Sequence, residues 1–246
     1  MDSEEHIAKI KIRKLLKQMR NLSEIKLKEM SKWKIDDDFN QSIQNLITNL
    51  TSDSQEVKDD YEKQLVILNE FQQIFSDNSD FMSKELISIL KFNKDKELRK
   101  QAAKVIGYIR IDEAEAILIG CLLGDPEPEV REKAAYALGE LHSKKSIEAL
   151  IHALEEDKSY WVRAEAAWAL GMLKQKETVA ILGKALKNDS DDWVRISVAA
   201  ALGEFDVEEA IDLLEDTISK DYEPLVKKQA EKSIIEIFTR KKEKKE

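Results

Sequence analysis

Along much of this chain, apolar residues recur at alternating steps of three and four, the mark of helices with one buried face. Residues 157–188 display it well. Val162, Ala166, Leu170 and Leu173 form one stripe, and Val179, Leu182 and Leu186 form a second. Asp157-Lys158-Ser159-Tyr160 reads as a turn ahead of the first stripe, and Gln175-Lys176 separates the two. The pattern predicts helices from Trp161 to about Lys174 and from Glu177 to Lys187. A link that short predicts antiparallel packing of the pair.

The same pattern returns every 32 residues. Arg99, Arg131, Arg163 and Arg195 share that interval, with Lys227 continuing it. So do Gly107, Gly139, Gly171 and Gly203, and so do Leu118, Leu150, Leu182 and Leu214. Asp125, Asp157, Asp189 and Asp221 make a fourth series, preceded by Asn93. A period of this length marks a stacked repeat protein, in which each unit packs on its neighbours. A mid-helix glycine costs about 1 kcal/mol relative to alanine. Gly171 precedes Leu173, which still belongs to the buried stripe, so it is not a helix cap. Its recurrence predicts close approach of a neighbouring helix, and the Ala pairs at 102–103, 134–135 and 166–167 make the same demand.

The segment Val130-Arg131-Glu132-Lys133-Ala134-Ala135-Tyr136-Ala137-Leu138-Gly139-Glu140-Leu141 resembles the second helix of a HEAT repeat. It is most similar to the short-repeat branch called phycobilisome-lyase-type HEAT repeats. The resemblance implies an all-α fold, a right-handed α-solenoid of helical hairpins preceded by an N-terminal helical arm. It covers four copies, residues 93–124, 125–156, 157–188 and 189–220. Residues 221–246 read as a partial C-terminal capping repeat and basic tail, with Ile235 in the glycine slot. Residues 61–92 read as a divergent N-terminal capping repeat, with Phe75 in that slot. The resemblance further implies a ladder in which turn aspartates bond helix arginines. Asp125, Arg131, Asp157, Arg163, Asp189 and Arg195 would form it, and Asp221 would extend it.

In a repeat array the constant columns build the core, so recognition falls to the variable exposed ones. At about 100° per residue, Trp161, Trp168 and Met172 lie within about 40° of one another and away from the core stripe. The Trp168 column holds Tyr136 one unit earlier, and the Trp161 column holds Trp193 and Leu225 in later units. Glu129, Glu132, Glu140, Glu165, Asp191, Asp192 and Glu204 surround these rings. Two readings compete for Trp161 and Trp193: packing across the inter-repeat turns, or an aromatic patch with an acidic rim as found at protein-binding sites. The expected partner-binding set is Trp168 as anchor, Tyr136 and Met172 flanking, Trp161 and Trp193 at the edge, with Glu165 and Glu132 on the rim. The partner expected is a protein segment with basic and apolar residues. The resemblance implies that this helix lines the concave surface.

Charge narrows the partner class. The chain is −9 overall, yet residues 1–35 carry ten Lys or Arg against five Asp or Glu, leaving −14 on the remainder. An acidic body repels phosphate backbones, so no specific nucleic-acid binding is expected along the repeats. A HEAT-like DNA glycosylase needs a basic groove and ranks last among the alternatives. The histidines, His6, His142 and His152, lack metal-ligand spacing. The slots after each repeat Arg hold Lys100-Gln101, Glu132-Lys133, Ala164-Glu165 and Ile196-Ser197, which excludes a HEAT-like metal hydroxylase carrying His-Glu pairs. No phosphate loop, nucleophile elbow or catalytic carboxylate pair stands out. No catalytic residue, metal or cofactor is therefore expected. The leading reading is a non-catalytic interaction scaffold. A lyase or lyase subunit binding a tetrapyrrole-like ligand is the alternative.

Cys121 is the single cysteine and the start is acidic, so a reducing, cytoplasmic location is expected. Residues 1–35 read as a basic amphipathic helical arm, with Ala8, Ile12, Leu15, Met19 and Leu22 along one seam. The arm is expected to cap the solenoid, with a partner helix or an anionic membrane surface as its other uses. Residues 36–60 read as a connecting helix.

Overall fold

The computed structural model describes residues 79–244 together with Ile10, Arg13 and Lys14. The expectations for the rest of the arm, for residues 36–60 and for Phe75 lie outside the described residues. Those described form helices and short 3₁₀ turns, with no strand among them. The chain divides into two compact units, residues 1–109 and 110–246.

In the first unit, α1 (Ser79–Phe92) packs on α2 (Lys96–Ile109). Met82, Leu86, Ile89 and Leu90 of α1 and Ala102, Val105 and Ile106 of α2 are buried. Asn93 and Asp95 shape the turn, Asn93 accepting the Asp95 N–H and Asp95 the Glu97 N–H, each at 2.9 Å. Arg13 of the arm donates to Glu85 Oε1 at 3.4 Å, beside this hairpin.

The second unit holds α3 (Glu115–Gly124), α4 (Pro128–Glu140), α5 (Ile147–Glu156), α6 (Tyr160–Leu173), α7 (Val179–Asn188), α8 (Asp192–Leu202), α9 (Glu208–Lys220) and α10 (Pro224–Glu243). Pro128 and Pro224 begin their helices, where a missing N–H costs nothing. The close pairs are α3 with α4, α5 with α6, α7 with α8 and α9 with α10. This corrects the pairing expected inside residues 157–188. The tight hairpin forms across the Asp157 turn, where Asp157 Oδ1 accepts the Ser159 N–H at 2.9 Å and Ser159 is extended. At the other end of α6, Lys174 enters the left-handed region and a 3₁₀ turn, Lys176–Thr178, leads into the next hairpin. Arg110 and His142 adopt the same positive φ, each preceding a 3₁₀ turn. A side chain in this region costs about 1–2 kcal/mol.

The hairpins stack into two rows. The first row is α3, α5, α7 and α9, with Leu118, Leu150, Leu182 and Leu214 fully buried. The second row is α4, α6, α8 and α10, whose successive members make extensive contact. The glycine column sits between the second-row helices. A Cβ on Gly139 would stand 3.1 Å from Ala169 Cα, and one on Gly203 would stand 2.8 Å from Ser233 Cβ. Both are tighter than ordinary side-chain contacts, so glycine is what lets these helices approach.

Candidate functional site

A ladder runs through the turns. Arg131 Nε and Nη2 donate to Asp157 Oδ2 and Oδ1 at 2.7 and 2.8 Å. Arg163 grips Asp189 at 2.7 and 2.9 Å, and Arg195 grips Asp221 at 2.8 and 3.3 Å. The remaining nitrogen of each, Nη1, donates to a carbonyl in the preceding turn: Asp125, Asp157 and Asp189 at 2.9, 3.0 and 2.9 Å. Asp125, Asp157, Asp189 and Asp221 each accept an N–H two residues on, which forms the turn itself. Burial pushes the Asp157 and Asp221 carboxyls up, but bonds from Arg131 and Arg195, the Ser159 and Glu223 N–H groups and the arginine charges outweigh it. Both carboxyls are held below the ordinary range. Three guanidinium nitrogens are thus committed on each arginine, which suits holding repeats together and not gripping an external anion.

The aromatic residues divide into two groups. Tyr136 and Trp168 stack across α4 and α6, with ring centroids 5.3 Å apart and planes 13° from parallel. Trp168 Cζ3 lies 2.8 Å from where a Gly139 Cβ would stand. Tyr136 is buried and Trp168 half-buried. The expectation that Trp168 projects freely, with Tyr136 beside it, is corrected: the missing side chain at Gly139 opens a notch that the indole fills. Helical angles place a residue relative to its own stripe and do not register what the next helix contributes.

Trp161 and Trp193 behave differently. They are the second residues of α6 and α8 and are 52% and 54% exposed. Rings this open do not close the core. Trp161 leans on Tyr160, with centroids 4.7 Å apart. Asp191 caps α8 by accepting the Trp193 backbone N–H at 3.0 Å, and Asp192 Oδ1 accepts the same N–H at 3.0 Å. Asp192 follows it in the same turn. Met172, Glu165 and Glu132 are half-buried, and Glu132 pairs with Lys133 at 2.8 Å. Two acids expected on the rim are engaged by residues of positive φ: Glu140 faces Arg110 at 3.7 Å and Glu204 faces Lys174 at 2.7 Å.

Two further large side chains, absent from the expected site, are also exposed. Leu225, second in α10, is 55% exposed in the same column as Trp161 and Trp193. Tyr222 is highly exposed, with the Arg195 guanidinium 5.0 Å from its ring centre. Its position next to the ladder residue Asp221 was the available signal. Elsewhere, clefts of about 350 and 360 Å³ lie between α7 and α9 and between α5 and α7, bordered by Arg195 and Arg163. Among the described residues, no cluster of three or more His, Cys, Asp or Glu could hold a metal ion. No helix among them is long and apolar enough to cross a membrane.

Two stacked rows of antiparallel hairpins, tied by a repeating Arg–Asp ladder, define an α-solenoid. The model for HEAT repeats matches residues 83–170 and 147–235, and the chain belongs to the HEAT-repeat family. Its repeats are of the phycobilisome-lyase-like kind. No curated protein matches the chain significantly. Among solved structures, it is similar to the complex of CpcE and CpcF of phycocyanin lyase from Nostoc sp. PCC7120, with 26% identity and a TM-score of 0.54. That match covers 63% of this chain and 64% of the other, so this chain spans less than two thirds of its relative's length. YibA of Escherichia coli matches at 21% identity and TM-score 0.50, covering 91% of this chain and 81% of its own. Karyopherin Kap121p, bound to the extreme C-terminus of the protein phosphatase Cdc14p, matches at 15% identity and TM-score 0.53. That match covers 98% of this chain and 27% of the karyopherin. The last two share the fold.

Proposed function

We propose that this protein is a non-catalytic interaction module that holds a protein partner against its second-row helices, the face that the HEAT resemblance assigns to the concave side. The observation carrying this reading is the pair of open indoles, Trp161 and Trp193, in one column, with Asp191 and Asp192 immediately before Trp193. Large rings half in water, with acids alongside, suit a segment bearing Lys or Arg next to apolar residues. Trp161 and Trp193 take the anchoring role, and Met172 and Glu165 border them. Trp168 and Tyr136, stacked on each other between α4 and α6, serve packing instead. With Cys121 its one cysteine, the module suits a reducing compartment such as the cytoplasm.

Selection by the full chain from a displayed library of random peptides tests this. Recovered peptides should carry basic residues next to apolar ones. Trp161→Ala with Trp193→Ala should abolish recovery while the melting temperature holds. Recovery indifferent to both substitutions, or no recovery at all, would remove the basis for the proposal.

A second reading rests on the 26% identity to a phycocyanin lyase complex. In it, the same face holds a tetrapyrrole-like ligand. A shifted visible absorption band on titration with a bilin would favour it over the scaffold.

A further inference from the structure

Trp161, Trp193 and Leu225 occupy one column of the repeat, each the second residue of its helix and each more than half exposed. The three form a row that crosses α6, α8 and α10 at their N-terminal ends, not along any one helix. The acids near it come from the same turns: Glu127 and Glu129 before and within α4, Asp191 and Asp192 at α8, and Glu223 at α10. Lys158 is the one basic residue among the turn segments 125–129, 157–161, 189–193 and 221–225. The row is therefore apolar in its teeth and acidic between them.

Its pitch is set by helix packing. The helices α6, α8 and α10 pack directly on one another in succession, and packed neighbouring helices lie about 8–10 Å apart. A polyproline II helix rises about 3.1 Å per residue with three residues per turn, so every third side chain faces one way at intervals of about 9.3 Å. An α-helix offers no such match, because its same-face residues repeat about every 5.4 Å.

We propose that the occupant of this row is a polyproline II segment whose residues i, i+3 and i+6 seat on Trp161, Trp193 and Leu225. Positions i and i+3 are cationic. An arginine there stacks on an indole while its charge meets Asp191 and Asp192, as cations favour the faces of Trp rings. Position i+6 rests on Leu225 through its aliphatic part. A preformed polyproline helix loses little conformational entropy on docking, which suits a shallow edge that encloses its ligand on one side only. This proposal rests on the reading of Trp161 and Trp193 as anchors and adds the conformation and register of what they hold.

The test uses the full chain and three fluorescently labelled peptides with blocked ends. One repeats Arg-Pro-Pro three times. The second repeats Arg-Pro-Pro-Pro, keeping the helix but breaking the register. The third repeats Arg-Gly-Ser, keeping the charge spacing without the helix. Anisotropy titration should give at least about tenfold tighter binding for the first than for either control. Trp161→Ala and Trp193→Ala should each lose about tenfold, and Leu225→Ala several-fold. Equal affinity for all three peptides, or no binding of the first, would overturn the proposal. The failure modes separate cleanly. If library selection still depends on Trp161 and Trp193 while the three peptides bind alike, the anchors stand and the register is wrong. If the tryptophan substitutions change neither measurement, the anchoring reading falls as well.

Discussion

A Cβ built on Gly171 would stand 2.8 Å from both Cα and Cβ of Ala201, so α6 and α8 approach until backbone nearly meets backbone. Neither helix can retreat alone, because α6 is also packed on α4 and α8 on α10. Gly171→Ala should therefore destabilise by about 1–3 kcal/mol, the usual range for overpacking, despite the better helix propensity of alanine. Gly120 is the control. Nothing lies within 4 Å of its added Cβ, and Gly120→Ala in the interior of α3 should stabilise by up to about 1 kcal/mol. Opposite signs are expected in chemical denaturation. A gain at Gly171 would mean that the rows are not held by close approach.

The ladder predicts a response to acid. The Asp157 and Asp221 carboxyls are lowered in the folded chain, so their stabilisation is full above the unfolded value of about 3.9 and fades as pH falls through the lower folded values. Thermal stability should be flat on this account from about pH 7 to 5 and decline below about pH 4. Asp157→Asn should cost about 1–3 kcal/mol at pH 7, since Arg131 keeps its bonds to the carbonyls of Asp125 and Pro126 and is partly reached by water. The variant should also show a shallower acid decline. A wild-type acid profile in Asp157→Asn would separate the ladder from pH stability.

Two tryptophans of α6 should separate in a melting experiment. Trp168 stacks on Tyr136 and fills the notch at Gly139, so Trp168→Ala should cost about 3 kcal/mol or more. Trp161, 52% exposed on the same helix, should shift stability by about 0.5 kcal/mol or less on replacement by alanine. Equal losses would mean that the open indole is packed in solution.

Coupling along the stack is tested at Leu182, fully buried in α7. Leu182→Ala should cost about 2–5 kcal/mol. Because each hairpin is stabilised by its neighbours, hydrogen exchange should speed up beyond residues 157–188, into α5 and α9. Loss of protection confined to residues 157–188 would contradict linear coupling.

The terminal helix clarifies the basic tail. Arg240 bonds Asp206 and the Gly203 carbonyl, and Lys244 also reaches Asp206. Lys244 and Arg240 hold the Asp206 carboxyl below its usual range against the effect of burial. Two charges of the basic tail are thus spent on joining α10 to the turn after α8.

The 32-residue interval determined the helical class, the core leucines and the glycine column, because each of these is a demand that every repeat makes alike. Val162, Ala166 and Leu170 could be placed in the core from spacing, since burial on one helix face is a local property. What spacing did not determine was the partner of each face. The tight hairpin belongs to α5 and α6 and not to α6 and α7, because Asp157 closes a turn where Lys174 redirects the chain. Trp168 and Trp161 lie about 20° apart on their helix, yet the absent side chain of Gly139, on another helix, draws one indole inward and leaves the other in water. Exposure depends on what the neighbouring hairpin supplies at that height, and only the packed stack brings the two residues together.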